Sequence, residues 1–138
     1  MLEVRVEEEV AAGAAAVWDL FRDFGGIKRW SPEISSCELE GNGVGAVRTI
    51  GLQGITIQER LEHLDDAART LRYAIVAGPL PLKNYLATVQ IGDAGVGRAK
   101  IIWSSQFDAA GLTDEQAKQM VEMIYRNGIA GIRKALGQ

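Results

Sequence analysis

Few side chains in this 138-residue chain are equipped for chemistry, and those few gather in its middle third. In a strand, alternate residues share a face. Ile55, Ile57, Glu59 and Leu61 therefore point one way, and Thr56, Gln58, Arg60 and Glu62 the other. The apolar set faces inward and takes Glu59 with it. The turn at Gly51–Gly54 folds the preceding segment back, and a centre near residues 53 and 54 sets Arg48 opposite Glu59. An arginine and a glutamate meeting in an apolar interior have three uses. They compensate each other as a structural ion pair. They offer a polar handle to a ligand carbonyl, carboxylate or hydroxyl. Or Glu59 acts as a general base that enolises a carbonyl compound, with Arg48 stabilising the enolate.

Tyr73 and Tyr85 fall on neighbouring strands, and each brings a hydroxyl that either serves a ligand or is capped within the core. In Trp103-Ser104-Ser105-Gln106-Phe107 the residues Trp103, Ser105 and Phe107 share one face, and Ser104 and Gln106 the other. Nothing nearby in sequence activates a serine. The one histidine, His63, has no evident carboxylate relay, so a Ser-His-Asp mechanism is not supported. Strict alternation sets His63 beside Leu61 on the apolar face, as a satisfied or partly exposed side chain. His63 and the one cysteine, Cys37, lack ligand-spaced companions, so no metal and no cofactor are expected. Gly43-x-Gly45 and Gly92-x-x-Gly95-x-Gly97 lie between strands and open no helix, which removes the geometry of a nucleotide loop.

These residues need a scaffold. Residues 2–10 alternate Leu2, Val4 and Val6 against Glu3, Arg5 and Glu7, the pattern of a half-buried strand. Val17, Trp18, Leu20, Phe21 and Phe24 follow at helical spacing, and Gly25-Gly26 should stop that helix. A second short helix is expected over Ile27–Trp30, ended by Ser31-Pro32. Strands are expected at 34–40, 44–50, 55–65, 69–77, 82–92 and 98–109, separated by Gly- and Asn-rich turns, which makes an antiparallel meander. From Thr113, a plausible N-cap, Ala117, Met120, Val121, Ile124, Gly128, Ile129, Ile132 and Leu136 recur at spacings of three and four. Met120, Met123 and Ile124 offer soft packing to core or ligand alike. Gly128 leaves room for a ligand or a strand. The sum is an α+β architecture: a seven-stranded curved antiparallel sheet around a long C-terminal helix, with two short helices after the first strand. Residues 1–138 are expected to form one ligand-binding domain.

Hydrophobic residues make up 47% of the chain and charged residues 24%, ordinary globular usage that argues against disorder. A net charge of -3 gives no basic footprint, so no nucleic acid partner is expected. One cysteine excludes a disulfide framework. Charges begin at Glu3, and no uncharged run approaches the ~20 residues of a bilayer span. The expectation is a cytoplasmic protein without stable membrane insertion.

The order and spacing of Val17-Trp18-Asp19-Leu20-Phe21-Arg22-Asp23-Phe24, Trp30-Ser31-Pro32, Glu59-Arg60-Leu61-Glu62-His63-Leu64-Asp65, Arg72-Tyr73, Asn84-Tyr85 and the closing helix carry a family likeness. Over essentially its whole length the chain resembles the START-like superfamily (SRPBCC) of the birch pollen allergen, START lipid-transfer domains and aromatic polyketide cyclases. The resemblance implies a helix-grip fold around a ligand cavity. The middle of the chain is similar to the plant abscisic acid receptors, with Gly51-Leu52-Gln53-Gly54 at their gate loop and Leu80-Pro81-Leu82 at their latch. Gln53 stands where the receptor gate has proline, Leu80-Pro81 replaces the polar pair of the latch, and Ser35 replaces the hormone-binding lysine. These departures speak against abscisic acid itself and against the receptors' phosphatase-binding role. The resemblance implies that Tyr73 and Tyr85 line the cavity and that Ser104 turns toward it. The expected ligand contacts are Arg48, Ile57, Glu59, Tyr73, Leu82, Tyr85, Ser104, Met120, Ile124 and Gly128, with Glu59 and Arg48 catalytic if the protein is an enzyme. Three functions follow: binding of a lipid, polyketide or aromatic metabolite; a polyketide cyclase/dehydrase acting on a poly-carbonyl chain; or a ligand-gated switch whose protein partner the sequence does not name.

Overall fold

The computed structural model describes residues 1–138. The chain runs β1 (Leu2–Val10), α1 (Ala14–Arg22), a 3-10 helix (Phe24–Arg29), β2 (Ile34–Glu40), β3 (Val47–Leu52), β4 (Ile55–Asp65), β5 (Thr70–Ala77), β6 (Leu82–Asp93), β7 (Ala99–Ala109) and α2 (Asp114–Ala135). The strands form one antiparallel sheet in the order β1-β7-β6-β5-β4-β3-β2. Apart from β1, which closes onto β7, each strand lies beside its sequence neighbours, as short turns demand. This is the expected helix-grip α+β arrangement. The short helices differ in detail. α1 ends at Arg22, and Gly25 and Gly26 lie inside the 3-10 helix, where Gly26 leaves helical geometry, rather than between two helices.

Turn chemistry fixes the register that matters. Gln53 and Gly54 both take positive φ, 49° and 83°, in a two-residue hairpin loop. That loop pairs Leu52 with Ile55, and counting back pairs Arg48 with Glu59.

Bulges shift the simple alternation elsewhere. One between Leu61 and His63 sets His63 opposite Arg72 and leaves it exposed, which corrects its expected place beside Leu61. Another, between Lys83 and Leu86, includes Asn84 at φ 55°. It lets Leu82 and Tyr85 reach the same interior although their positions differ by three, which strict alternation would put on opposite faces.

α2 begins with a capping box: the Thr113 hydroxyl accepts from the Gln116 backbone N–H, and the Gln116 side chain accepts from that of Thr113. Its buried stripe is Ala117, Val121, Tyr125, Ile129 and Ile132, packed toward β1 and β7. No helix is long and apolar enough to cross a membrane.

Candidate functional site

Because α2 packs on β1 and β7, it stands away from β3, β4 and β5, and a cavity of about 390 Å³ remains between them. Ile50 and Leu52 of β3, Ile57 of β4, Ile75 of β5, Leu82 of β6 and Trp103 of β7 supply apolar wall. Trp30 to Glu33 and Leu80 contribute from the connecting segments, Ile34 from the start of β2, and Ile124, Asn127, Gly128, Ala130, Gly131 and Lys134 from α2. A mostly apolar cavity of this size with a few convergent polar groups suits a small organic molecule.

The polar groups that the sheet brings to the lining are Arg48, Glu59, Tyr73 and Tyr85. Arg48 donates through Nε to Glu59 Oε1 at 2.8 Å, and its Nη2 lies 2.7 Å from the same oxygen as an ion-pair contact. Its Nη1 donates to the Phe24 carbonyl oxygen at 3.1 Å. The guanidinium carbon lies 4.0 Å from the centre of the Phe24 ring and 5.2 Å from that of Tyr73. A buried charge needs such partners, and here one carboxylate, one carbonyl and two aromatic rings supply them.

Beyond the ion pair lies a phenol cluster. The Tyr73 hydroxyl accepts from Trp103 Nε1 at 3.2 Å, and the Tyr85 and Tyr125 hydroxyls bond each other. Tyr125 stacks on Trp103 with ring centres 4.6 Å apart. The Ser105 hydroxyl is buried beside Tyr125 without a hydrogen bond of ordinary geometry. Burial pushes all three phenols above their ordinary value of 10.0; the Glu59 charge adds to the rise at Tyr73, and the neighbouring phenols add to it at Tyr85 and Tyr125. They are proton-bearing groups throughout the neutral range.

Of the expected contacts, Arg48, Ile57, Glu59, Tyr73, Leu82, Tyr85, Ile124 and Gly128 lie on this lining. Two do not. Ser104 points out of the opposite face, into a polar depression it shares with Arg5, Arg72 and Thr88, because the inward residues of β7 are Trp103, Ser105 and Phe107. Met120 is only half-buried and off the lining, since the cavity reaches α2 from Ile124 onward. Gly128 is filled by protein: a Cβ there would stand 2.8 Å from the Trp103 ring. Tyr125 escaped the sequence reading altogether, although its spacing of four from Val121 and Ile129 was a signal for it.

A curved seven-stranded antiparallel sheet gripping one long helix defines a START-like helix-grip fold. The chain belongs to the polyketide cyclase / dehydrase and lipid transport family, whose model matches residues 1–137. It is 32% identical over 133 residues to the abscisic acid receptor PYL2 of Arabidopsis thaliana, covering 88% of this chain and 70% of the receptor. It spans 41%, 49% and 66% of three further abscisic acid receptors of that plant. Among solved structures, an uncharacterised Bacillus thuringiensis protein is 30% identical with a TM-score of 0.92, over 99% of this chain and 100% of that one. The protein XoxI of Bacillus cereus is 31% identical with a TM-score of 0.90, over 98% and 95%.

Proposed function

We propose that the protein binds a hydrophobic small molecule (a lipid, polyketide or aromatic metabolite) in the cavity between its sheet and α2. The observation that carries this reading is the gap itself: an apolar space of about 390 Å³ whose wall holds a compensated ion pair and buried phenols. Ile57, Leu82 and Ile124 supply contact area, and Glu59, Tyr73 and Tyr85 orient the guest. Kinship with a family described by lipid transport, and with receptors named for a small hormone, supports the same reading. The test is native mass spectrometry after exposure to a hydrophobic metabolite extract. One defined mass should be retained and released unchanged, and Ile75→Trp, which fills the space, should abolish retention. Equal retention by Ile75→Trp would place the guest elsewhere.

One observation favours a second reading, cyclase/dehydrase chemistry. Both contacts from Arg48 fall on Glu59 Oε1, which leaves Oε2 free to take a proton. A released species lighter by one water, lost in Glu59→Gln while binding persists, would establish it.

A further inference from the structure

The polar groups of the cavity are not equally available to a guest, and the inequality defines what the guest carries. The inference rests on the ligand-binding reading above.

Arg48 is the more enclosed partner. Its Nε donates to Glu59 Oε1, its Nη2 lies 2.7 Å from the same oxygen, its Nη1 donates to the Phe24 carbonyl, and Phe24 covers one face of the guanidinium. Its side chain keeps only 6% of its surface open, and an incoming anion would sit against the Glu59 charge. The phenols are buried, Tyr73 accepting from Trp103 and Tyr85 bonded to Tyr125.

Glu59 Oε2 is different. It receives none of the hydrogen bonds made by Arg48. It is not sealed either: the buried polar atoms without partners are Trp30 Nε1 and Ser105 Oγ alone, and the Glu59 side chain keeps 13% of its surface open, on the cavity lining. An ionised carboxylate oxygen only accepts. This oxygen therefore asks the guest for a donor. A cationic donor would meet the Arg48 charge on the same carboxylate, so a neutral donor fits best.

We propose that the ligand is a neutral apolar molecule bearing a hydroxyl, phenolic or alcoholic, that donates to Glu59 Oε2, and that this wall excludes carboxylic acids.

The experiment compares guests with one apolar body and different heads. Beta-naphthol, its methyl ether and the matching naphthoic acid are titrated into the full chain by calorimetry, at a neutral pH where the naphthol keeps its proton. Because hydrogen bonds to charged groups are the stronger kind, naphthol should bind at least about tenfold tighter than the ether and than the naphthoate. Glu59→Gln gives Arg48 its oxygen and turns the amide N–H group toward the guest, where hydroxyl and ether oxygens both accept, so the preference for naphthol over the ether should disappear. The wild-type ranking decides the matter alone if that variant does not fold. Equal binding of naphthol and ether overturns the hydroxyl inference and leaves the binding reading standing. Tighter binding of the naphthoate also overturns it and moves the anchor to Lys134, the other cation on the lining. Binding of none of the three removes the binding reading and this inference with it.

Discussion

The two sides of α2 are built on opposite principles. On the side of β1 and β7, Ala117, Val121, Tyr125, Ile129 and Ile132 have no exposed surface. Polar contacts reinforce that side: Arg126 and Arg133 both reach the Glu8 carboxylate, at 2.8 and 2.7 Å, and the Gln138 side chain brackets the backbone of Ala11. On the side of β3, β4 and β5, Ile124 is 43% exposed, and the helix looks across a gap at Ile50, Ile57, Glu59 and Ile75. Protein interiors are normally close-packed, and voids of this size are few. The contrast teaches how one survives. A helix secured along one face does not need the other face filled. The gap ends where α2 meets protein again, at Gly128 against the Trp103 ring and at Gly131, where a Cβ would stand 2.0 Å from the Trp30 carbonyl oxygen.

The largest effect should come from adjacent residues on the two sides. Tyr125→Ala removes a fully buried ring stacked on Trp103 and should lower stability by about 3–5 kcal/mol. Ile124→Ala removes a side chain that faces the gap and solvent, and should change stability by no more than about 0.5 kcal/mol. The first acts on the fold and the second on guest affinity. Urea denaturation of both variants checks this. Losses of similar size would mean that the gap side is also holding the helix.

The second effect is on pH. The chain has three tyrosines, and all three are in the buried cluster. Their folded-state values lie above the ordinary 10.0, so the unfolded chain gives up phenolic protons first. The unfolded state then binds fewer protons, and stability must fall as pH rises above about 10. Tyrosinate absorbance should be absent from the native protein in that range and should rise in one step with loss of helix. Titration of one tyrosine ahead of unfolding would show that water reaches the phenols through the cavity.

Much of this arrangement was legible in the sequence, and what was not has a physical reason. The spans 2–10, 34–40 and 55–65 match their strands, because alternation and turn residues bound them clearly. The Arg48–Glu59 pairing was legible because a two-residue hairpin loop leaves one register open. Bulges hid the rest of the sheet. One extra residue reverses every face beyond it, which turned His63 outward and brought Leu82 and Tyr85 together. Ser104 differs for another reason: alternation sets it opposite Trp103, the family likeness implies the inward face, and the strand follows its own period. On α2 the pattern marked an apolar face without saying which edge met protein and which met space. Met120 was assigned to the cavity and Tyr125 overlooked for that reason.

The smallest effect sharpens the comparison most selectively. Arg133 donates to Glu8 at 2.7 Å and to the Glu9 carbonyl oxygen at 2.8 Å, which ties the last turns of α2 to β1. Both side chains are partly open to solvent, so water and salt screen the pair. Arg133→Met keeps the apolar stem and removes the charge, and should cost about 0.5–1 kcal/mol at low ionic strength and less as salt is added. The change lies on the packed side of the helix and Arg133 is not itself on the lining, so guest affinity should stay as it was. Loss of affinity in Arg133→Met with the stability intact would mean that the tie positions α2 over the gap. The two sides would then be one mechanical unit, with the width of the cavity set by the bonds on its far side.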